Sequence, residues 1–229
     1  MKSVNLKTVF DFILPRLCEN CGIDLSSTEE ILCKNCLSQL TLAEDERIAY
    51  EFNKKFAFEN YIDGFLSAFI FEEETPIQSA IHSLKYNGKF KIGIFLGKTS
   101  AEILIDRLQN WQADFLIPVP LFHLKKAERG YNQSFYIAKG FSRILKIPVK
   151  TKFVKRTRYT QTQTALSLEE RKENMLNAFE LKNSKGVKGS KIILVDDVIT
   201  TGSTVRECGR ILKSNGAEKV YALSVALAN

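Results

Sequence analysis

The sequence lacks any apolar run that approaches the roughly 18 residues needed to span a bilayer. It has only two histidines, His82 and His123, so histidine-based metal sites and Ser/His/Asp arrangements have little support. The apolar stretch at residues 4–14 is interrupted by Asp11, and no small-residue cleavage site follows it. We therefore expect a short amphipathic helix there and not a signal peptide. The hydrophobic and charged fractions, 45% and 26%, exclude disordered, collagen-like and coiled-coil classes.

Charge is distributed unevenly along the 229 residues. The net charge is +7, yet residues 121–175 alone hold 13 Lys/Arg against 4 Asp/Glu, whereas residues 41–80 hold nine acidic residues against three basic ones. A basic block beside a near-neutral remainder favours an anionic partner, either the phosphates of a small molecule or a nucleic-acid backbone. A solvated basic surface is an equally open interpretation of charge alone.

The sequence pattern divides the chain into three zones. Residues 1–40 hold four of the five cysteines, residues 41–60 show no clear pattern and are interpreted as a connector, and residues 61–229 alternate between strand-like and helix-like stretches. This alternation predicts an α/β fold with a parallel sheet covered on both faces, whose ligands bind at the carboxyl ends of the strands. Strands are expected over 65–71, 115–119, 149–154, 191–195 and 219–227. Helices are expected over 76–86, 92–108, 132–146, 168–178 and 203–214.

Two C-x-x-C pairs, separated by eleven residues, dominate the first zone. Their four thiolates can form the tetrahedron that Zn²⁺ prefers in a closed structural site, and a segment this short has too little apolar surface to fold without such a metal. Two disulfides or a redox pair are the alternatives, but the absence of a signal peptide favours a reducing compartment. Cys208, in contrast, has helical spacing with apolar neighbours and is interpreted as a buried thiol. The predicted metal ligands are Cys18, Cys21, Cys33 and Cys36.

The most informative stretch begins with the strand expected at residues 191–195. That strand is expected to end in two adjacent carboxylates, Asp196 and Asp197, which a hydroxyl-rich loop and a helix follow. The helix N-terminus and the hydroxyl groups form an anion site, and carboxylates beside it suit a phosphorylated sugar that also brings hydroxyl groups or Mg²⁺. In the simpler alternative, Ser203 or Thr204 only caps the helix and the carboxylates are solvated. The loop residues are Thr200, Thr201, Gly202, Ser203 and Thr204.

Residues 192–204 resemble the signature of the type I phosphoribosyltransferases, in which an apolar strand, two acids and a T-T-G-x-T loop follow one another. The resemblance implies that Asp196 and Asp197 contact the ribose hydroxyl groups of phosphoribosyl pyrophosphate. It also implies that the loop at 200–204 holds the 5′-phosphate and that Mg²⁺ bridges the pyrophosphate and ribose oxygens.

Three further segments narrow the resemblance. They are residues 81–88, residues 117–134 with Ile-Pro-Val-Pro-Leu and Arg-Gly-Tyr-Asn-Gln-Ser, and residues 155–179. Together with the cysteine pairs, they resemble the ComF family over nearly the whole chain. The sequence pattern and the resemblance, which begins at about Leu14, together predict an N-terminal helix and zinc-binding knuckles over 1–40, a connector over 41–60 and a type I phosphoribosyltransferase-like domain over 61–229.

The resemblance also implies roles for basic residues. The Pro-Val-Pro at residues 118–120 closes the strand at which the family places its pyrophosphate loop, so Lys125 and Arg129 join Asp196 and Asp197 as catalytic candidates. Many members of the family have an Arg-rich stretch where this chain has lysines. A lysine side chain contacts phosphate as a single point charge and cannot form the two parallel hydrogen bonds of an arginine guanidinium. Residues 156–171 fit a mobile loop that closes over a ligand and an ordinary exposed connector equally well. The nucleic-acid or lid candidates are Lys126, Tyr131, Lys155, Arg156, Arg158 and Arg171.

For function, the resemblance implies a cytoplasmic protein of DNA uptake in natural transformation. It would bind phosphoribosyl pyrophosphate or a related phosphorylated sugar with Mg²⁺ and handle incoming single-stranded DNA, with other competence proteins as further partners. The alternatives are an active phosphoribosyltransferase on an unknown acceptor and a sensor that binds phosphoribosyl pyrophosphate without chemistry. Aromatic residues interleave with the cations of residues 121–175, as in single-strand binding, although spacing places several of them in the core. They are Phe135, Tyr136, Phe141, Phe153 and Tyr159.

Overall fold

The computed structural model describes residues 16–157 and 178–228. The helix expected near residues 4–14 and nearly all of the helix expected over 168–178 lie outside the described residues. So do most of the loop considered over 156–171 and the candidates Arg158, Tyr159 and Arg171. Within the described residues, no helix is long and apolar enough to cross a membrane.

Eight helices and six strands make up the described part of the chain. The helices are α1 (Lys34–Ser38), α2 (Asp45–Phe56), α3 (Pro76–Tyr86), α4 (Phe90–Ile103), α5 (Ile105–Asn110), α6 (His123–Arg129), α7 (Gln133–Leu145) and α8 (Ser203–Ser214). The strands are β1 (Gly64–Phe71), β2 (Phe115–Pro118), β3 (Val154–Arg156), β4 (Phe179–Leu181), β5 (Lys191–Ile199) and β6 (Lys219–Ala228). Helices α3, α7 and α8 begin and end within one residue of the ranges predicted from the sequence.

Strands β1, β6, β5 and β2, in that order, form one parallel sheet. Every residue from 192 to 195 in β5 and from 222 to 227 in β6 is buried. Because successive side chains of a strand point to opposite faces, this continuous burial means that both faces of the sheet are covered. The predicted fold, a parallel sheet with helices on both faces, is confirmed. Strands β3 and β4 form a separate antiparallel pair.

Helices α4 and α7 pack closely against each other beside the sheet. Each has a glycine at the contact: a Cβ atom added at Gly97 would overlap the backbone carbonyl of Ile137, and one added at Gly140 would overlap that of Ile94. Helix α8 packs on β4, β5 and β6. The chain moves from β5 to β6 in one direction along the sheet and from β2 to the bridge at Val149 in the other direction. Because crossovers between parallel strands are right-handed, the helices in these two connections, α8 and α7, lie on opposite faces of the sheet.

The single tryptophan marks the amino-terminal edge of the sheet. The Trp111 ring stacks on the Tyr221 ring with centroids 4.4 Å apart and planes 5° from parallel. Both rings lie against Gly64 at the start of β1, where a side chain would contact them. This stack is therefore at the edge opposite to the carboxyl ends of the strands.

Three of the predicted elements have clearly different bounds in the structure. The helix expected over 92–108 breaks at Leu104, where α4 ends and α5 begins. In the strand expected over 149–154, Val149 forms a single bridge to β2, and β3 turns away to pair with β4. Strand β5 does not end before the two carboxylates but continues to Ile199, because its residues still pair with β6. Apolar β-branched residues after the acids keep this extension in the sheet.

The connector expected over residues 41–60 contains helix α2. Its apolar residues Ile48, Phe52 and Phe56 recur every four residues, which gives one narrow apolar stripe on a charged helix. Ile48 and Phe56 are buried, and the Phe56 ring meets the Phe65 ring of β1 with centroids 5.8 Å apart. The stripe has fewer apolar positions than most core-facing helices, so the sequence pattern did not reveal it.

Candidate functional site

The hydroxyl-rich loop lies at the carboxyl end of β5, where the chain turns into α8. Gly202 is the N-cap of α8 with a left-handed φ of +72°, and a Cβ atom there would come within 2.7 Å of the Phe56 ring. Both the backbone conformation and the space therefore require glycine. On either side of Gly202, the hydroxyl oxygens of Thr201 and Ser203 lie 2.9 Å apart. The N-terminus of a twelve-residue helix flanked by hydroxyl groups is suited to binding a phosphate.

Two carboxylates lie just before this loop. Oδ1 of Asp196 accepts hydrogen bonds from the Ser134 hydroxyl and from the backbone N–H of Asp197, each at 2.9 Å. Asp197 is only 5% exposed, and its Oδ2 forms an ion pair with Lys85 Nζ at 3.2 Å. An unpaired buried charge is strongly unfavourable, so the ion pair with Lys85 offsets the cost of burying the Asp197 carboxylate.

Asp196 has a perturbed acidity because it is half-buried beside a second acid. Burial, and then the charge of Asp197, raise the pKa of Asp196 to about 7, although the Ser134 hydroxyl and Lys85 act in the opposite direction. Its charge near neutral pH therefore depends on what binds beside it. Hydrogen-bond donors or a cation from a ligand would favour the ionised form.

Asn132 caps α7 and thereby fixes Ser134. The Asn132 Oδ1 accepts a hydrogen bond from the Ser134 N–H at 3.1 Å, and its Nδ2 donates to the Val119 carbonyl at 2.9 Å. The hydroxyl of Ser134 then reaches Asp196. The N-terminus of α7, the loop after β2 and the first carboxylate are thus joined in one hydrogen-bonded network.

Sequence reasoning did not identify Lys85 and Ser134 as site residues. Lys85 looked like an ordinary helix-end residue, and Ser134 is 62 positions from the carboxylate that it contacts. Only the fold brings these groups together. The signal available in the sequence was that both lie in segments, 81–88 and 117–134, that carry the family resemblance.

The predicted pyrophosphate loop lies at the same edge of the sheet. Strand β2 is parallel to β5 and ends at Pro118, and α6 follows. In α6, Lys125 is half-buried and Lys126 is exposed. The Arg129 guanidinium lies over the Tyr86 ring, 5.2 Å from its centroid, so a cation–π contact with α3 positions it.

A cationic cleft of about 580 Å³ opens beside α6 and β3. Four of the six nucleic-acid or lid candidates line it, namely Lys126, Tyr131, Lys155 and Arg156. Two further lysines that sequence reasoning did not single out, Lys152 and Lys182, also line it. Among the described residues that form its walls, none is acidic. The charged side chains that line the cleft are therefore all positive, which favours binding of an anion.

The four N-terminal cysteines form a compact cluster. Their Sγ atoms all lie within 4.8 Å of one another, with those of Cys21 and Cys33 3.7 Å apart, and all four are free thiols. A tetrahedron with Zn–S bonds of about 2.3 Å places its sulfur atoms roughly 3.8 Å apart, so the cluster has the dimensions of a metal site. Although burial acts against it, backbone N–H groups including that of Cys33 lower the pKa of Cys18 to about 6, whereas burial raises the pKa of Cys36 to about 12. The cluster could hold a metal ion such as zinc.

The cysteine cluster is attached to the helix that carries Lys85. The Ser79 hydroxyl of α3 donates to Asn20 Oδ1 at 2.8 Å, and Asn20 Nδ2 donates to Cys36 Sγ at 3.3 Å. The C-terminal end of the same helix provides the ion pair to Asp197. One helix thus contacts both the cysteine cluster and the carboxylates.

Comparison with known proteins assigns the second half of the chain. Residues 131–228 match the family model of the phosphoribosyl transferase domain. Among solved structures, the purine phosphoribosyltransferase from Pyrococcus horikoshii is similar at 19% identity with a TM-score of 0.39, covering 58% of this chain and 74% of that one.

Three relatives extend the similarity to the first half. Competence protein F from Haemophilus influenzae is 32% identical over 215 residues, which are 92% of this chain and 84% of that protein. Competence protein ComFC from Bacillus subtilis is 24% identical over 205 residues, 89% of this chain and 74% of that protein. DNA utilization protein YhgH from Escherichia coli is 38% identical over 148 residues, and the match spans 63% of this chain and 64% of YhgH, slightly less than two thirds. With this extent of similarity, and with a cysteine cluster and a phosphoribosyl transferase domain in one chain, the protein belongs to the ComF family of competence protein F and ComFC.

Proposed function

We propose that this protein binds phosphoribosyl pyrophosphate with Mg²⁺ at the carboxyl end of β5 and acts in the cytoplasm in DNA uptake, by handling incoming single-stranded DNA. The observation that carries the proposal is the juxtaposition of the α8 N-terminus, a pair of adjacent carboxylates of which Asp197 is buried and Asp196 half-buried, and a cleft lined by cations. Relatives named for competence and for DNA utilization support the DNA-related half.

The parts of phosphoribosyl pyrophosphate suit the groups at this edge. Its 5′-phosphate fits the N–H groups of the first turn of α8 and the hydroxyl groups of Thr201 and Ser203. Its ribose hydroxyl groups can donate hydrogen bonds to Asp196 and Asp197. When bound, Mg²⁺ neutralises the pyrophosphate beside these carboxylates. The raised pKa of Asp196 fits this role, because the carboxyl group gains its charge most readily when donors or a cation arrive.

The DNA-related role is supported by the position of the cleft. Asn132 lines the cleft and, through Ser134, contacts Asp196, so a strand in the cleft would lie next to the sugar-phosphate site. The phosphate backbone of a nucleic acid binds to grooves that are lined by positive charge, and its bases stack on aromatic side chains within such grooves. The cleft has both kinds of side chain.

Transfer of the phosphoribosyl group to an acceptor is the second candidate function. The cleft beside the carboxylates leaves room for an acceptor, and Lys125 and Arg129 on α6 would stabilise the departing pyrophosphate. A protein that binds phosphoribosyl pyrophosphate only as a sensor would share the site. Release of pyrophosphate on addition of candidate acceptors identifies a transferase, whereas binding without release identifies a sensor.

For the cysteine cluster we propose a structural Zn²⁺ held by its four thiolates. The core of this segment is small, consisting of Leu32 and the three buried cysteines with a few partly buried neighbours. Since so little apolar area is buried there, the metal would supply much of the free energy that folds the segment.

Calorimetric titration with phosphoribosyl pyrophosphate and Mg²⁺ tests the sugar-phosphate site. We expect the wild type to bind and the double variant Asp196→Ala/Asp197→Ala to lose measurable binding, because the ribose contacts and their charge are gone. Asp106→Ala, which removes an exposed carboxylate on α5, is the control and should bind like the wild type. Equal affinity of wild type and double variant would contradict the proposed site.

A salt series with single-stranded DNA tests the cleft. Affinity should fall as salt rises, and the double variant Lys152→Ala/Lys182→Ala should reduce the slope of log K against log salt by about 1.4, since each phosphate contact contributes about 0.7. Lys188→Ala, an exposed lysine that does not line the cleft, should leave the slope unchanged. An absence of binding at low salt would refute the DNA-handling role.

A further inference from the structure

Four aromatic side chains, Phe90, Tyr131, Phe135 and Tyr136, form a continuous surface that we call the aromatic strip. Tyr136 is at its centre: its ring centroid lies 4.8 Å from that of Phe90, 5.2 Å from that of Phe135 and 5.3 Å from that of Tyr131. Three of the four, all except Phe90, also line the cationic cleft. The strip therefore runs from the start of α4 into the cleft.

Within the described residues, the strip differs from Phe141 and Phe153 of the basic region in its exposure. Phe141 and Phe153 are buried in the hydrophobic core, where their rings need no further explanation. Phe90, in contrast, is 40% exposed, and the other members of the strip are only partly buried. Contiguous aromatic surface that folding leaves accessible indicates a binding surface.

Hydrogen bonding fixes one ring of the strip without covering it. The Tyr131 hydroxyl donates to the backbone carbonyl of Leu84, which ties its polar end to α3. Its ring also meets that of Phe90, with centroids 6.4 Å apart and planes at 82°. A ring held in place loses little conformational freedom when a ligand stacks on it, so the strip is pre-organised for stacking.

Positive charge accompanies the strip on α7 and in the cleft. On α7, Lys139 Nζ lies 4.8 Å from the Phe135 ring centroid and 5.7 Å from that of Tyr136. In the cleft, lysines and Arg156 line the walls, and no acidic residue is among the described residues there. Planar faces flanked by cations match a ligand that alternates bases with phosphates.

We propose that the aromatic strip stacks the bases of a single-stranded nucleic acid whose phosphates lie on the cations of the cleft. The inference rests on the proposed DNA-handling function and deepens it, because it requires base contacts in addition to charge. A duplex does not fit, since its bases are stacked on one another. A sugar phosphate does not fit either, since it has no base.

The experiment compares two labelled oligomers of equal length and charge, oligothymidylate and an abasic strand, by fluorescence anisotropy at low salt. We expect the wild type to bind oligothymidylate about tenfold or more tightly than the abasic strand, because each stacked base is worth roughly 1–3 kcal/mol. Tyr136→Ala should bind the two strands almost equally. Tyr136→Leu, which retains apolar packing within the strip, should give the same result and exclude misfolding as the cause.

Tyr50→Ala is the matched control. Tyr50 is 58% exposed and has Arg47 and Lys54 over its ring, each at 5.8 Å, but it lies on α2 beside the opposite edge strand of the sheet. We expect it to keep the wild-type preference for oligothymidylate. If the wild type binds both strands equally, or if Tyr136→Ala and Tyr136→Leu keep the preference, the stacking inference is overturned and DNA handling by charge stands. If the wild type binds neither strand, the proposed DNA-handling function fails as well.

Discussion

At the scale of single residues, the carboxyl group of Asp196 determines how the site responds to pH. Its pKa of about 7 means that the carboxylate forms as pH rises through neutrality. We expect the affinity for phosphoribosyl pyrophosphate with Mg²⁺ to rise over the same range, because the ionised form is the better hydrogen-bond acceptor and cation partner. Titration calorimetry across pH measures this.

The variant Asp196→Asn separates this effect from the titration of the ligand. Its amide cannot ionise, so any pH dependence that it retains belongs to the pyrophosphate or to other groups. We expect weaker binding with a flatter pH profile than that of the wild type. Parallel profiles for the two proteins would show that Asp196 does not control binding.

The same pKa predicts how folding stability depends on pH. The folded-state pKa of Asp196 is raised above its ordinary value, so its contribution to stability is fully present below that ordinary value and is lost as pH rises through about 7. Relative to Asp196→Asn, the wild type should therefore become less stable as pH rises toward 8. Urea unfolding at several pH values measures the difference, and a constant difference would contradict the raised pKa.

The residues of the site differ in how well the sequence predicted them. Asp196, Asp197 and the loop after them form a short continuous motif, so local spacing was sufficient to propose an anion site. Lys85 and Ser134 contact the carboxylates only through tertiary packing, and no local pattern encodes that contact. The anion site could therefore be predicted from the sequence, whereas the two groups that contact its carboxylates could not.

At the scale of elements, the packing of α4 on α7 decides where the α7 N-terminus lies. Gly97→Ala would force a methyl group into the Ile137 carbonyl, so we expect a loss of about 1–3 kcal/mol in the free energy of unfolding. At an exposed glycine within a helix, the same substitution would increase the free energy of unfolding, because alanine is the better helix former by about 1 kcal/mol. Urea denaturation measures the change. Arg143→Ala, at an exposed position on α7, should stay within about 0.5 kcal/mol of the wild type.

A stabilised Gly97→Ala variant would contradict the close contact. If the variant folds but binds phosphoribosyl pyrophosphate more weakly, the loss would reflect displacement of Ser134 from Asp196. These two readouts, stability and affinity, therefore report on the helix contact and on its effect at the site.

Elements were predictable from the sequence where their apolar pattern was dense. Helices α3, α7 and α8 carry repeated apolar positions and were located to within a residue. Helix α2 has a single stripe at Ile48, Phe52 and Phe56 on a charged background, and was missed. The extension of β5 to Ile199 was missed because two acids normally signal the end of a buried strand, and pairing with β6 overrides that signal here.

At the scale of the whole molecule, the cysteine cluster and the sheet should unfold separately. We expect about one zinc per chain in purified protein, and removal by a chelator should expose residues 16–40 to protease while the sheet stays folded. The reason is that this segment buries little apolar area of its own. Metal analysis and limited proteolysis measure the two effects.

Cysteine variants provide the control for the metal. Cys18→Ser/Cys33→Ser should abolish zinc binding, whereas Cys208→Ala should retain it, since Cys208 is buried in α8 away from the cluster. Equal zinc content in all three proteins would contradict the proposed site. Because Ser79 joins the segment to α3, zinc removal should also loosen the helix that carries Lys85.

The stack of Trp111 on Tyr221 gives the molecule a fluorescent reporter of its own. As the only tryptophan, Trp111 can be excited selectively, and its emission reports on the amino-terminal edge of the sheet. Ligands are expected at the other edge, so their binding should leave this emission unchanged while unfolding alters it. In one sample, a labelled oligonucleotide can then report how much of the binding site is occupied, while Trp111 emission reports whether the protein remains folded.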